Sequence, residues 1–429
     1  MRFLLLTLAF LFSFQLSTSD EETLNWINEN AIEIEDTDPD SELVEFGKSA
    51  PEKFQKAKLF GFGEATHNSK EFFDLKAKYF KYLVKNQGVK TFIMEDAYQA
   101  EEGINEWISG GEGDIKTIAN NFLIGFWYSK EIVNLLAWMR EYNSDKSSKD
   151  QIRFYGMDMQ YGKRLNEKIR SFVSENGLDV NEDLLNAADQ CAEKMIDPSQ
   201  SSGWADSKEP QLRKIQQSIK SYGDSNPEAV METKSALRSL NYLIQYTKYV
   251  QDTETELRDS SMFENVKWIA QNHSDNGKAF IWAHNEHINK AEMYYVGSGI
   301  INLGSRLKDF YKDDYYSVGF DFGGGELRGY VQEKKGTGSW KNYYVEEPIK
   351  KTYAETLFEA DKEVFFLDMD HALNNDPTGF FSTKNRNILV AAGGYQPKPL
   401  HKVMVNKIYT DFYDGLIFIK KVTIPEFSN

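Results

Sequence analysis

Residues 58–86 read KLFGFGEATHNSKEFFDLKAKYFKYLVKN. The opening KLFGFG is a short apolar run closed by glycine, which suits a buried strand ending in a sharp turn. The text over 70–86 predicts a helix. A strand, a polar turn and a helix in immediate succession are the unit of an α/β fold. The same grammar recurs along the chain. Short apolar runs at 91–94 (TFIM), 152–155 (IRFY), 279–282 (AFIW), 316–320 (YSVGF), 364–367 (VFFL), 388–391 (ILVA) and 416–419 (LIFI) suit buried parallel strands. Helical text such as 130–142 (KEIVNLLAWMREY) separates most of them. The expected fold class is therefore α/β, a mostly parallel sheet flanked by helices.

The pattern breaks over residues 162–272, where helical periodicity dominates and no strand is expected. Asn226-Pro227 reads as an N-cap followed by proline at the first helical position, opening a helix over 227–247. This block reads as a large helical insertion, or flap, over the carboxyl ends of the strands, with the α/β core formed by 20–161 and 273–429. Residues 1–19 stand apart. Arg2 precedes the almost purely apolar FLLLTLAFLFSF at 3–14, then Ser17-Thr18-Ser19 and acidic residues follow. Roughly a dozen apolar residues are too few to span a bilayer and fit a secretory signal, so an exported protein, periplasmic or secreted, is expected; the alternative is an uncleaved anchor.

Apolar residues make up 41% of the chain and aromatics 14%, enough for a large packed core. The formal net charge of −16 repels nucleic-acid phosphates and anionic lipid, which excludes both as expected partners. Cys191 is the only cysteine, so no internal disulfide can form, and it reads as a small helix residue.

Three of the six histidines fall just after expected strands. In open α/β sheets ligands bind outside the carboxyl ends of the strands, so the position is as informative as the residue type. Glu64 and His67 follow 58–63. His284 and His287 follow 279–282, a pair that suggests either a metal site or proton transfer with transition-state hydrogen bonding. Glu95 and Asp96 follow 91–94, and Asp158 follows 152–155; acids there also suit helix N-termini, the reading kept for Asp158. Gly323-Gly324-Gly325 reads as a flexible loop at the same lip, without the Lys-Ser/Thr of a P-loop. No G-x-S-x-G elbow is present, which disfavours a serine nucleophile.

Six ordered segments carry a resemblance: GEATHNSKEFF (63–73), IMED (93–96), FWYSKEIVNLLAWMREYN (126–143), FYGMD (154–158), RDSSMFENVKWI (258–269) and AFIWAHNEHI (279–288). Together they resemble the erythromycin esterase family. The resemblance implies hydrolysis of a carboxylic ester, in the best-known members a macrolide lactone, with no cofactor and no required metal. It implies His67 as catalytic base with Glu64 as its partner acid, and Glu95, Arg258, His284 and His287 as the remaining active-site positions. Asn68 stands where the family usually has glycine; asparagine tolerates a left-handed backbone, so the turn is expected to survive. On this reading His67 takes a proton from attacking water, Glu64 fixes the imidazole, and Arg258 with His284 or His287 stabilises the oxyanion. The expected partner is a small-molecule ester. Two rivals use the same residues: a metal-dependent hydrolase or peptidase, and a non-catalytic ligand-binding protein rich in tryptophan.

Overall fold

The computed structural model describes residues 18–196, 203–274, 276–334, 337–383, 385–388 and 404–426. The apolar segment expected as a secretory signal lies outside them, apart from the first helical residues at Thr18 and Ser19. The described residues hold eleven strands: β1 Ile32–Glu33, β2 Leu59–Phe62, β3 Thr91–Ala97, β4 Arg153–Asp158, β5 Ala279–Trp282, β6 Tyr315–Lys334, β7 Thr337–Val345, β8 Val364–Asp368, β9 Asn385–Ile388, β10 Met404–Lys407 and β11 Gly415–Val422. Nine form one sheet in the order β1-β8-β11-β6-β2-β5-β3-β4, with β7 hairpinned onto β6. β11, β6, β2, β5, β3 and β4 run parallel. The mostly parallel α/β expectation therefore stands.

Alternation along the strands explains why the sheet is covered on both faces. Phe60, Phe62, Phe92, Met94, Phe280 and Trp282 belong to one apolar cluster, shared with Phe72, Phe73 and Phe80 of helix α1, Lys70–Gln87. Leu59, Ile93, Ala279 and Ile281 point the other way, into a second cluster. Helix α1 begins with the Lys70 amide donating to Thr423 O at 2.8 Å. It stops at Gly88, whose φ of +69° is the left-handed conformation that closes helices.

Between Leu165 and His273 the described residues hold five α-helices and no strand: α2 Leu165–Glu175, α3 Glu182–Glu193, α4 Trp204–Ser225, α5 Val230–Gln251 and α6 Thr255–His273. They enclose a third apolar cluster that includes Cys191, Leu212, Ile215, Leu240 and Leu243. Cys191 is a buried free thiol, as its helical surroundings suggested. Helix α6 carries Met262, Val266 and Ile269 against the sheet's second face. No helix among the described residues is long and apolar enough to cross a membrane.

Several local expectations are corrected. Residues 364–367 do form a strand, but β8 pairs antiparallel with β11 and with β1. Apolar composition reports burial and carries no strand direction. Of 388–391, only Ile388 lies among the described residues; it ends β9, which pairs with β10 in a separate antiparallel sheet. Gly323, Gly324 and Gly325 are no loop but part of β6, where a Cβ on Gly325 would lie 2.0 Å from Val422 O. A Cβ on Gly323 would lie 2.2 Å from the Phe358 ring and one on Gly324 2.5 Å from Val345 O, so none of the three positions has room for a side chain. Asn226 makes no cap; its side chain donates back to Tyr222 O at 2.8 Å, and a 3-10 turn at Pro227–Ala229 precedes α5.

Candidate active site

Because β2, β5, β3 and β4 are adjacent and parallel, their exits lie side by side at one edge. Glu64 and His67 leave β2, His284 and His287 leave β5, Glu95 lies near the end of β3, and Asp158 ends β4. The β2 and β5 exits are tied together directly. The Ala283 amide donates to Phe62 O at 3.2 Å and the Asn285 amide to Glu64 O at 3.0 Å. The Asn285 side chain clips β6, donating to Phe320 O at 2.7 Å and accepting from the Phe320 amide at 3.0 Å. Gly63 makes this possible, since a Cβ there would lie 2.1 Å from Asn285 Oδ1.

His67 is held from three sides. Its Nδ1 lies 2.7 Å from Glu64 Oε1, so Nδ1–H donates to the carboxylate and the neutral ring keeps its lone pair on Nε2. Among the described residues Nε2 has no hydrogen-bond partner. Phe126 stacks on the ring at 5.0 Å and Trp127 meets it edge-on at 5.3 Å. The second Glu64 oxygen accepts from Lys76, a residue of α1 with no solvent exposure. Lys76 also donates to Ala283 O at 3.1 Å and sits 4.2 Å from the Trp282 ring centre. Burial draws its ammonium down to about 8, against the pull of Glu64.

His284 caps the short helix α7, Asn285–Ile288. Its Nδ1 accepts from the Glu286 amide at 3.2 Å, and its Nε2–H donates to Ala65 O at 3.3 Å. Those two partners fix the neutral Nε2–H tautomer. Burial, with His67 alongside at 5.0 Å between ring centres, holds its pKa well below the usual histidine value.

The third group is a charge network. The Arg258 guanidinium, from the start of α6, donates to Glu95 at 2.6 Å and to Asp158 at 2.7 Å through Nη2, and again to Asp158 through Nε at 3.2 Å. His287 Nδ1 lies 2.9 Å from Asp259, its Nε2 3.3 Å from Glu95, and Arg258 Nη1 is 3.0 Å from that same Nε2. Arg258 can donate to Nε2 when the ring is neutral; when it is protonated, Nε2–H turns to Glu95. Burial opposes charge on Glu95, yet His287 and Arg258 hold its pKa well below the carboxylate range. Glu95 also accepts from the His284 amide at 2.9 Å, which couples the network to the β5 exit.

Burial and Arg258 oppose protonation of His287, but Asp259 and Glu95 outweigh them and raise its pKa to about 10. A folded value above the unfolded one means that the protonated ring stabilises the fold fully below about pH 6.5, and that this contribution fades as pH rises towards the folded value. Urea denaturation should show the wild type losing up to about 1.4 kcal/mol per pH unit more than His287→Gln between roughly pH 6.5 and 8. Parallel pH profiles for the two proteins would show that the ring carries no such charge.

The structure thus gathers Glu64, His67, Glu95, Arg258, His284 and His287 at one edge. It adds three residues that sequence reading missed as partners: Lys76, Asp158 and Asp259. Asp158 caps no helix; it is fully buried against Arg258, with a further bond from Gln160 at 2.7 Å. Lys76 did leave a signal, since it shares the apolar helical face of Phe72, Phe73 and Phe80. Asn68 is buried and does not adopt the left-handed backbone expected of it; its Nδ2 has no partner among the described residues. Among the described residues no group of His, Cys, Asp and Glu is arranged to hold a metal ion. Cavities of about 660 and 590 Å³ lie elsewhere, along the helical block, sharing Arg238 and Trp268 in their walls.

The model of the erythromycin esterase family matches residues 84–422. The chain is 24% identical to an Escherichia coli protein named erythromycin esterase type II, across 94% of this chain and 98% of that one. Its fold is similar to that of a crystal structure described as a succinoglycan biosynthesis protein, with a TM-score of 0.75 at 20% identity over 96% of this chain and 100% of that one. It is also similar to a mutant of the erythromycin esterase EreC in its open conformation, with a TM-score of 0.65 at 14% identity over 92% of this chain and 98% of that one.

Proposed function

Since the chain belongs to the erythromycin esterase family, we propose that it is a hydrolase that cleaves carboxylic esters by attack of a water activated by His67. The observation that carries this reading is the Glu64–His67 pair: Nδ1 is committed to the carboxylate at 2.7 Å, and Nε2 is left to take a proton. Glu64 fixes the imidazole and favours the imidazolium that forms, while Lys76 keeps the carboxylate in place. The water adds to the ester carbon as its proton passes to Nε2; collapse of the tetrahedral intermediate then returns that proton to the departing alkoxide. The intermediate's negative oxygen calls for donors. Arg258 Nη1 is the guanidinium nitrogen that neither Glu95 nor Asp158 takes. The His284 ring, locked neutral, presents no charge that would drain the proton away from His67.

A macrolide lactone is the proposed ester, from the name of the Escherichia coli relative. We read the helical block as the flap that shapes the pocket and residues 1–19 as a secretory signal; sequencing the N-terminus of the exported protein tests the latter. Incubation with a macrolide and a panel of simple esters, followed by mass spectrometry, tests the activity. The expected result is a gain of one water that persists after treatment with a chelator. Failure to hydrolyse any ester, or loss of activity to chelator with recovery on adding metal, would overturn the proposal.

A further inference from the structure

The register of β6 points past the catalytic residues to a wall beside them. β2 ends with Phe62 opposite Val318, and β11 makes its last pair, Val422 with Gly325. Residues 326–334 of β6 therefore run on past both neighbours and pair with β7 alone. Because β6 is parallel to β2, this overhang extends beyond the carboxyl edge, where the imidazoles lie. The hairpin also reaches them by contact. Trp340 of β7 meets Phe126 edge-on, at 5.4 Å between centres and 84° between planes, and Phe126 is the ring stacked on His67.

A row of rings thus leads outward from fully buried Trp127 through His67 and Phe126 to Trp340, which is 37% exposed. Arg328 of β6 packs over the Trp340 ring at 5.1 Å. Tyr344, 66% exposed, stands on the same face of β7 four residues on. Trp340 is thus positioned by Phe126 at its edge and Arg328 on its face, while part of its surface remains in water. A ring already fixed in place loses little freedom when a second flat apolar group covers it.

Resting on the reading of this site as an ester hydrolase, we propose that Trp340 and Phe126 form a substrate subsite for an apolar, ring-bearing part of the ester, set beside the imidazole base. The exposed tryptophan then selects for large esters over small ones, and binding at the wall brings the carbonyl towards His67.

The experiment compares the full chain with Trp340→Ala and Trp340→Phe on p-nitrophenyl cinnamate and p-nitrophenyl acetate. The preference in kcat/KM for cinnamate over acetate should fall by about 10-fold in Trp340→Ala. The loss should appear in KM, with Trp340→Phe restoring most of it. An unchanged preference would overturn the subsite. Calorimetric binding of the unreactive amide cinnamanilide separates this inference from the hydrolytic reading. If the wild type hydrolyses no ester, macrolides included, the hydrolytic reading fails, yet cinnamanilide binding weakened in Trp340→Ala still upholds the subsite. Binding that is equal in both proteins, or absent from the wild type, overturns it.

Discussion

His67→Ala is expected to lower kcat for ester hydrolysis by about a hundred- to ten-thousand-fold, the usual contribution of a positioned general base. The fold should survive the change. Glu64 loses the imidazole but keeps Lys76, with both side chains fully buried, so the substitution strands no unpaired charge. Unchanged far-ultraviolet circular dichroism and a melting temperature close to that of the wild type would show that the loss is chemical. Turnover equal to the wild type's would remove His67 from the mechanism. The variant is informative because Nε2 has no structural duty among the described residues, whereas both His284 nitrogens are engaged by backbone groups.

Arg258→Ala should produce the largest loss of stability, about 3–5 kcal/mol, because it leaves Asp158 buried without its cation and Glu95 with His287 alone. Glu95 is 3% exposed and Asp158 is fully buried, and the guanidinium donates to both. Urea denaturation at neutral pH measures the effect. Arg258→Lys should recover only part of it, since one ammonium cannot reproduce a planar fork serving two carboxylates. The pH dependence has a fixed sign. Arg258 and His287 depress the folded Glu95 pKa, so its contribution to the wild type is present above the unfolded value, about 4.3, and is lost as pH falls through the lower folded value. The deficit of Arg258→Ala should therefore narrow below about pH 4.3. A deficit under 1 kcal/mol at neutral pH, about the value of a surface ion pair, would contradict the network described here.

Much of this arrangement was legible in the sequence because burial and position act locally. An apolar run such as AFIW can hardly be anything but interior, and a polar residue directly after it emerges at the strand's end. Glu64, His67, Glu95, His284 and His287 could be placed on that ground, and family resemblance added Arg258. Pairings across the chain were not legible. That Asp158 serves Arg258 and Asp259 serves His287 depends on where α6 crosses the sheet, which no local pattern encodes. The direction of β8 was hidden for the same reason. The β6–β7 hairpin was missed because residues 321–345 are rich in glycine and polar side chains, while the strand signal weighs apolar alternation. Asn68 shows a different limit: reading a turn from residue type assumed a positive φ that this turn does not use.

The strand order carries a consequence for biosynthesis. β2 and β3 follow one another along the chain, yet they never pair, since β5 lies between them. While the ribosome adds α2 to α6, both strands therefore have an unsatisfied backbone edge, and the nascent sheet contains a slot. Only emergence of Ala279–Trp282 fills it, and the same four residues carry His284 and His287 into place. Joining of β2 to the β3–β4 pair and assembly of the imidazole cluster are thus a single event, ahead of the later strands β6, β8 and β11. A product cut short within the helical block would leave β2 and β3 with open edges of the kind that recruit foreign strands.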